Sequence, residues 1–212
     1  DGRIWSARTS RTNNPLYGVT WSGSQSRFVT VGGSGSIVTS SDGGVSWSLS
    51  ASSSTSNALH RVIWSGSQFI AVGAGGTIVA SPDGINWTSR NSTVTNPLYG
   101  VTWSGSNSLF VAVGGNGAIL TSSDSVSWTA VPPAQNVSYN AVASGTQIVA
   151  VGDFGFISTS FNGAAWTLQN SHTSNNLHDV LWSGTQFLAS GDNGTILTSP
   201  DGVNWISQSS GT

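Results

Sequence analysis

Short apolar segments alternate with polar turns along the whole chain. The stretch that begins at Asn57, NALHRVIWSGSQFIAVGAGGTIVASPDGINW, has the arrangement in full. Its segments LHRVIW, FIAVG and TIVAS are separated by a Ser-Gly turn and a Gly-x-x-Gly turn, and an Asp-Gly turn precedes the final tryptophan. Val, Ile and aromatic residues between Gly, Ser and Asp turns are typical of strands, so the unit predicts four short β-strands.

The unit recurs five times. The repeats begin at Asn14, Asn57, Asn96, Asn136 and Asn175, and their approximate bounds are 14–56, 57–95, 96–135, 136–174 and 175–212. Four antiparallel strands every ~40 residues are typical of a propeller blade. A helical repeat would need apolar residues at helical spacing, and none is present. We therefore predict one all-β domain over 1–212, a five-bladed β-propeller of four-stranded antiparallel blades.

The N-terminus carries an additional copy of part of the repeat. Residues 1–15, DGRIWSARTSRTNNP, align without gaps to residues 83–97, DGINWTSRNSTVTNP. Residues 1–13 are thus predicted to be an extra outer strand with its following loop. We expect this strand to close the ring, since closure removes sheet edges. The alternatives are that the chain is a segment of a longer propeller array, or that the surplus strand pairs with another molecule and supports self-association.

Composition limits the classes of partner. The chain has no cysteine, its six basic residues are all Arg, its eight acidic residues are all Asp, and its formal net charge is −2. This balance gives no electrostatic footprint for nucleic acid. No apolar run approaches the ~20 residues that span a bilayer, so no membrane insertion is expected. Ten Trp and seven Phe are costly to leave in water and indicate a folded chain despite its low charge.

The turn before each tryptophan carries a family resemblance. SPDGINW from Ser81 returns in the other repeats as SSDGGVSW, SSDSVSW, SFNGAAW and SPDGVNW. This pattern resembles the Asp-box of sialidase-type propellers, and the longer repeat is similar to photosystem II assembly-factor-like propellers. The resemblance implies a structural turn in which Asp bonds its own backbone amides and Trp fills space between blades. The tryptophans concerned are Trp47, Trp87, Trp128, Trp166 and Trp205.

A candidate binding face follows from the strand order. The inter-blade loops and the Gly-x-x-Gly turns should lie together at the start of the innermost strands, where propellers usually bind ligands. One aligned position there holds a ring with a polar tip in every repeat: Tyr17, His60, Tyr99, Tyr139 and His178. An asparagine precedes it in every repeat: Asn14, Asn57, Asn96, Asn136 and Asn175. These residues either cap turns and pack, or form aromatic and amide pockets for a ligand.

Charge breaks the symmetry of this face. Arg61 and Asp179 occupy the position after the ring residue, where two other repeats have Gly. The remaining Arg lie mostly towards the first repeats, whereas Asp153, Asp179 and Asp192 lie in the last two. This division predicts either a solvated rim or a polarised one that orients a partner protein.

The sequence favours a non-enzymatic binding module. Neutral aromatic and amide pockets suit a sugar, so the main hypothesis is an extracellular or periplasmic carbohydrate-binding propeller. The alternative is a protein-binding or assembly scaffold, and the third is a glycan-active hydrolase or lyase that uses Asp153 with Asp192. No cofactor is expected. A metal site of His60, His178 and Asp179 is disfavoured because the two His lie on non-adjacent blades.

Overall fold

The computed structural model describes residues 4–50 and 53–211, which form five four-stranded antiparallel sheets with their strands in chain order. Blade 1 contains β1 (Leu16–Ser22), β2 (Arg27–Gly32), β3 (Ile37–Ser40) and β4 (Ser48–Leu49). Blade 2 contains β5 (Leu59–Trp64), β6 (Phe69–Gly73), β7 (Ile78–Ser81) and β8 (Thr88–Arg90). Blade 3 contains β9 (Leu98–Ser104), β10 (Leu109–Gly114), β11 (Ile119–Ser122) and β12 (Thr129–Ala130).

The last two blades repeat the pattern. Blade 4 contains β13 (Tyr139–Ser144), β14 (Ile148–Gly152), β15 (Ile157–Ser160) and β16 (Thr167–Gln169). Blade 5 contains β17 (Leu177–Trp182), β18 (Phe187–Gly191), β19 (Ile196–Ser199) and β20 (Ile206–Gln208). The prediction of an all-β, five-bladed propeller with four antiparallel strands in each blade is confirmed.

The second and third strands of each blade are joined by a three-residue 3-10 turn, and these turns are Gly33–Gly35, Ala74–Gly76, Gly115–Gly117, Asp153–Gly155 and Asp192–Gly194. The last glycine of the motif has the predicted positive φ, 66° at Gly35. The first glycine is extended and serves another purpose, because a Cβ on Gly32 would overlap the carbonyl oxygen of Pro15. Across the described residues, no helix has the length and apolar character needed to cross a membrane.

The hydrophobic core lies between the blades. Between blades 1 and 2, for example, Val31 and Ile37 of blade 1 pack against Leu59, Val62 and Trp87 of blade 2. Equivalent clusters join blades 2 and 3, blades 3 and 4, and blades 4 and 5. We call the side of a blade that meets the preceding blade its leading face, and the opposite side its trailing face. Burial of leading against trailing faces supplies the main driving force for folding.

The recurring tryptophans belong to the leading faces. Trp87, Trp128 and Trp205 are 5%, 4% and 4% exposed, and each lies in the cluster between its own blade and the preceding one. Trp166 is half-buried against the cluster of blades 3 and 4. The prediction that these side chains fill the space between blades is confirmed for them. Trp47 of blade 1 is half-buried and belongs to no such cluster among the described residues.

The described part of the chain does not close into a ring. The innermost strands of consecutive blades lie side by side, from β1 and β5 through to β13 and β17, but β17 and β1 make no comparable contact. The predicted closure by an N-terminal strand is wrong for residues 4–13, which form no strand; residues 1–3 of that prediction lie outside the described residues. The fourth place in blade 5 is taken by β20, which pairs with β19, and no third strand of a preceding blade is present to pair with residues 4–13.

Candidate functional site

One face of the propeller collects the inter-blade loops and the 3-10 turns, as the sequence predicts. The Gly33 amide donates to the Pro15 carbonyl at 2.8 Å, which joins the turn of blade 1 to the loop that enters the same blade. Blades 2, 3, 4 and 5 have the same bond from the first residue of their 3-10 turns. We call this surface the channel-mouth face.

A β-bulge lies at the start of every innermost strand on this face. In blade 1, Leu16 pairs with Gly32 and Gly18 pairs with Val31, so Tyr17 is the extra residue. The same shift occurs in the other four blades. The bulged residues are Tyr17, His60, Tyr99, Asn140 and His178. Because a bulge re-aims the side chain of its extra residue, this position is set apart from the regular pleat in all five blades.

Three of the bulged residues form a continuous set of rings, which we call the aromatic row. The ring centroids of Tyr17 and His60 are 6.1 Å apart, and those of His60 and Tyr99 are 5.4 Å apart. His60 Nδ1 donates to the carbonyl oxygen of Leu98 at 3.0 Å, which holds its imidazole between the two tyrosines. Tyr17 is 52% exposed, so the row presents aromatic surface to solvent.

Tyr139 is not at the channel mouth, contrary to the sequence prediction. It pairs with Gly152, as Leu177 pairs with Gly191, and thus occupies the leucine position of the repeat. Its side chain is fully buried, and its hydroxyl lies 2.9 Å from Ser158 Oγ. Burial raises the pKa of the Tyr139 hydroxyl. Tyr139 is therefore a core residue.

Asn140 takes the bulged position in blade 4. Its amide donates to the Leu177 carbonyl at 3.0 Å, the same kind of bond to the next blade that His60 makes to Leu98. It also donates to Asp153 Oδ1 at 3.0 Å. The aromatic row therefore ends at Tyr99, and the rim continues with amide and carboxylate groups.

A shorter turn explains the misplacement of Tyr139. The pair Ser144 and Ile148 encloses one residue fewer than the equivalent pair Trp182 and Phe187 in blade 5. An ungapped alignment absorbs this deletion as a one-residue slip of the innermost strand. The spacing of large apolar residues could have revealed it, because Tyr139 and Val142 have the same separation as Leu98 and Val101.

The asparagines serve the fold of their own blades. Asn14, Asn57 and Asn175 each donate from the side-chain amide to the hydroxyl of the residue that follows the 3-10 turn, at 2.8 Å in all three cases. Asn96 donates to the Gly115 carbonyl at 3.2 Å. The same slip displaces Asn136, because Val137 stands two residues before Tyr139, where the other blades have asparagine. These contacts match the turn-capping interpretation of the asparagine set.

Arg61 and Asp179 meet on this face. Arg61 Nη2 donates to Asp179 Oδ1 at 2.5 Å, and this ion pair joins the innermost strands of blades 2 and 5. The two side chains are 37% and 46% exposed, so the pair is accessible to solvent. The contribution of such a pair to stability is small. Its main effect is to place a cation and an anion beside the aromatic row.

His178 and Asp192 form a second polar pair on blade 5. His178 Nε2 donates to Asp192 Oδ1 at 2.5 Å, and Asn176 donates to Asp192 Oδ2 at 3.0 Å. The hydrogen bond from His178 holds the pKa of Asp192 below its usual range. We refer to Arg61, Asp179, His178 and Asp192 together as the charged patch.

The charged patch does not have the features of a glycosidase site. A general acid needs a raised pKa, and that of Asp192 is lowered. Asp153, its proposed partner, accepts a hydrogen bond from Asn140 instead. Within the described ranges, no three His or Asp side chains are close enough together to hold a metal ion.

The Asp-Gly turns lie on the opposite face. Gln25, in the first turn of blade 1, donates to the Pro82 carbonyl in the Asp-Gly turn of blade 2 at 2.6 Å. Asp201 Oδ1 accepts from the backbone amides of Val203 and Asn204 at 2.8 and 2.9 Å. These bonds, the one from Asn204 above all, hold the pKa of Asp201 well below its usual range. The predicted structural role of these carboxylates is confirmed.

Comparisons with known proteins agree with this architecture. A family model described as the DUF6242 beta propeller domain matches residues 6–147, more than half of the chain. The chain matches none of the curated proteins in sequence. The structure of YCF48 from Cyanidioschyzon merolae is similar with a TM-score of 0.70 and 19% identity, covering 98% of this chain and 75% of that chain.

Two further solved structures have the same likeness. YCF48 bound to D1 peptide has a TM-score of 0.74 and 18% identity, covering 97% of this chain and 71% of that chain. A chain of a nidogen/laminin complex has a TM-score of 0.70 and 11% identity, covering 89% of this chain and 76% of that chain. The similarity to propellers of the photosystem II assembly-factor type is thus confirmed for the fold.

Proposed function

The chain belongs to the DUF6242 beta propeller domain family, and we propose that it is a non-enzymatic propeller that binds a segment of another protein across its channel-mouth face. The observation that carries the proposal is the aromatic row next to the Arg61–Asp179 pair. Aromatic and arginine side chains are enriched at protein interfaces, where they supply most of the binding energy.

The composition of the face suits a peptide. An extended segment could lay apolar side chains on Tyr17, His60 and Tyr99, while its backbone and polar groups meet the charged patch. The accessible cation and anion of the ion pair offer hydrogen-bond donors and acceptors of both kinds. A polarised surface of this kind contributes to orientation and to the rate of association more than to affinity.

The solved relatives support this alternative over carbohydrate binding. One of them is a propeller bound to a peptide, and no comparison points to a sugar. The loss of Tyr139 and of the asparagines from the predicted set also removes the five-fold arrangement of pockets on which the sugar hypothesis rested. We therefore place protein binding first.

The test is a selection from a displayed library of random linear peptides of about ten residues, with a glycan array screened in parallel. The expected result is a set of peptides that bind the parent chain and lose about tenfold or more in affinity when Tyr17→Ala and Tyr99→Ala are combined. Phe161→Ala is the matched control, because Phe161 is 76% exposed and precedes the Asn162 turn on the opposite face.

Two outcomes would count against the proposal. Peptides that bind the double variant and the parent equally well would place the site elsewhere. Binding of glycans with no binding of peptides would restore the carbohydrate hypothesis.

A further inference from the structure

Blade 1 has an uncovered leading face. Leu16, Val19 and Trp21 of β1 are 37%, 63% and 43% exposed. In blade 3 the corresponding leucine and valine, Leu98 and Val101, are 0% and 2% exposed because blade 2 covers them. An apolar sheet face of this kind is costly to leave in water and indicates an interaction surface.

Blade 5 has an uncovered trailing face. Leu181 is 48% exposed, and Leu188 and Ile196 are only half-buried. Their equivalents in blade 2 on the second and third strands, Ile70 and Ile78, are completely buried. The two uncovered faces lie at the two ends of the row of blades, one on either side of the gap in the ring.

The N-terminal segment has the conformation of a connection from a preceding blade. Ser10 Oγ donates to the Thr12 carbonyl at 2.9 Å, and Arg11 has a φ of 65°. The connection from blade 2 to blade 3 is the same, since Ser92 Oγ donates to the Val94 carbonyl at 3.1 Å. The next residue, Thr93, has a φ of 62°.

This conformation fits a neighbouring blade. In the connection from blade 2, the Val94 carbonyl packs so closely on Gly76 of that blade that a Cβ there would overlap it. The Thr12 carbonyl holds the equivalent place in the N-terminal segment. Trp5 aligns with Trp87 in sequence but is 88% exposed, whereas Trp87 is 5% exposed. Residues 4–15 thus have the form of an outer strand and connection that belong to one more blade.

The solved propellers indicate how large the missing part is. They cover 97–98% of this chain, whereas this chain covers 71–75% of them. The remainder, a quarter or slightly more of those chains, corresponds to about two repeats of ~40 residues. Two blades would also span a gap that has one uncovered face on each side.

We propose that the leading face of blade 1 and the trailing face of blade 5 receive two further four-stranded blades of this same repeat, which complete a larger closed ring. The fourth strand of the second added blade is supplied by residues 4–8. The trailing face of that blade covers Leu16, Val19 and Trp47, and the leading face of the first added blade covers Leu188 and Ile196.

The experiment adds the two repeats in register. A copy of residues 14–82 is fused directly before residue 1, so that residues 1–5 follow the added third strand as residues 83–87 follow β7. Because the chain has no cysteine, a single Val19→Cys substitution reports on the leading face of blade 1 through its reaction with a thiol reagent. Ser106→Cys, on an exposed turn of blade 3, is the matched control.

In the extended chain, Cys at position 19 is expected to react about tenfold more slowly, or less, than in the 212-residue chain, with no change at position 106. The same extension with Asp in place of the added copies of Val72 and Ile78 should restore the fast reaction. Slow reaction in the 212-residue chain itself would show that the face is already covered, by ring closure or by a second copy, and would overturn the proposal. So would fast reaction in the extended chain, or an extended chain that does not fold when its parent does.

Discussion

The strands β1 and β9 have the same sequence, LYGVTWS, and contrasting environments. In β9 the leucine and valine are buried beneath blade 2, whereas in β1 the same residues face solvent. Both segments nevertheless form seven-residue strands with the same pairing and the same bulge. Local sequence therefore determines the strand and its register, and the neighbouring blade determines how much apolar area that strand buries.

The comparison locates the stability of the molecule. Four interfaces between consecutive blades carry the buried apolar residues, and the outward faces of the terminal blades carry much less. The energetic value of a side chain in this repeat then depends on the blade in which it lies. Identical substitutions in blades 1 and 3 test this directly.

The tryptophans should give the largest difference. Trp128→Ala removes a 4% exposed indole from the cluster of blades 2 and 3 and should lower the free energy of unfolding by about 3–5 kcal/mol. Trp47→Ala removes a half-buried indole that has no preceding blade, so a loss of about 1–2 kcal/mol is expected. Urea denaturation of both variants measures the difference, and equal losses would mean that Trp47 is covered in solution.

The valines of the two identical strands should give a smaller difference. Val101→Ala deletes fully packed methyl groups and should cost about 2 kcal/mol. Val19→Ala is expected to change the free energy of unfolding by about 0.5 kcal/mol or less, as for other surface substitutions. A cost at Val19 as large as that at Val101 would contradict the open arrangement.

The Asp-Gly turns should give the smallest effect. Asp201→Ala removes the acceptor of two backbone amides and should cost about 1 kcal/mol. Asp201→Asn should cost less, because in blade 4 Asn162 Oδ1 already accepts from Ala164 and Ala165 at 2.9 and 3.1 Å.

The two variants of Asp201 also differ from the parent in acid. The folded-state pKa of Asp201 lies below that of the unfolded chain, so its contribution to stability is present at neutral pH. It is lost as the pH falls below about 4, the ordinary aspartate pKa, towards the lowered value. Urea midpoints between neutral and acid pH should therefore fall less steeply for Asp201→Asn than for the parent. An unchanged slope would assign the acid sensitivity to other groups.

Most of the fold follows from the repeat. The strand segments, the turns and the interior position of Trp87, Trp128 and Trp205 are set by residue type and spacing, which the sequence displays directly. The channel-mouth position of Tyr17, His60 and Tyr99 follows from strand order in the same way.

Two features did not follow from the pattern. Tyr139 was misplaced because one deleted turn residue shifts a strand without changing its composition. Ring closure was wrongly expected because the angle between successive blades comes from side-chain packing at each interface, and no single repeat encodes the sum of those angles. The Arg61–Asp179 pair depends on that same arrangement, since the two residues lie 118 positions apart.

The most direct test of the open arrangement is a pair of distance measurements by double electron–electron resonance between spin labels on introduced cysteines. Ser24, Ser67 and Thr185 are exposed residues of the first turns of blades 1, 2 and 5. The Ser24–Thr185 distance is expected to be clearly longer than the Ser24–Ser67 distance, because blades 5 and 1 are not neighbours. Equal distances would mean that the five blades close on themselves, which would contradict the account.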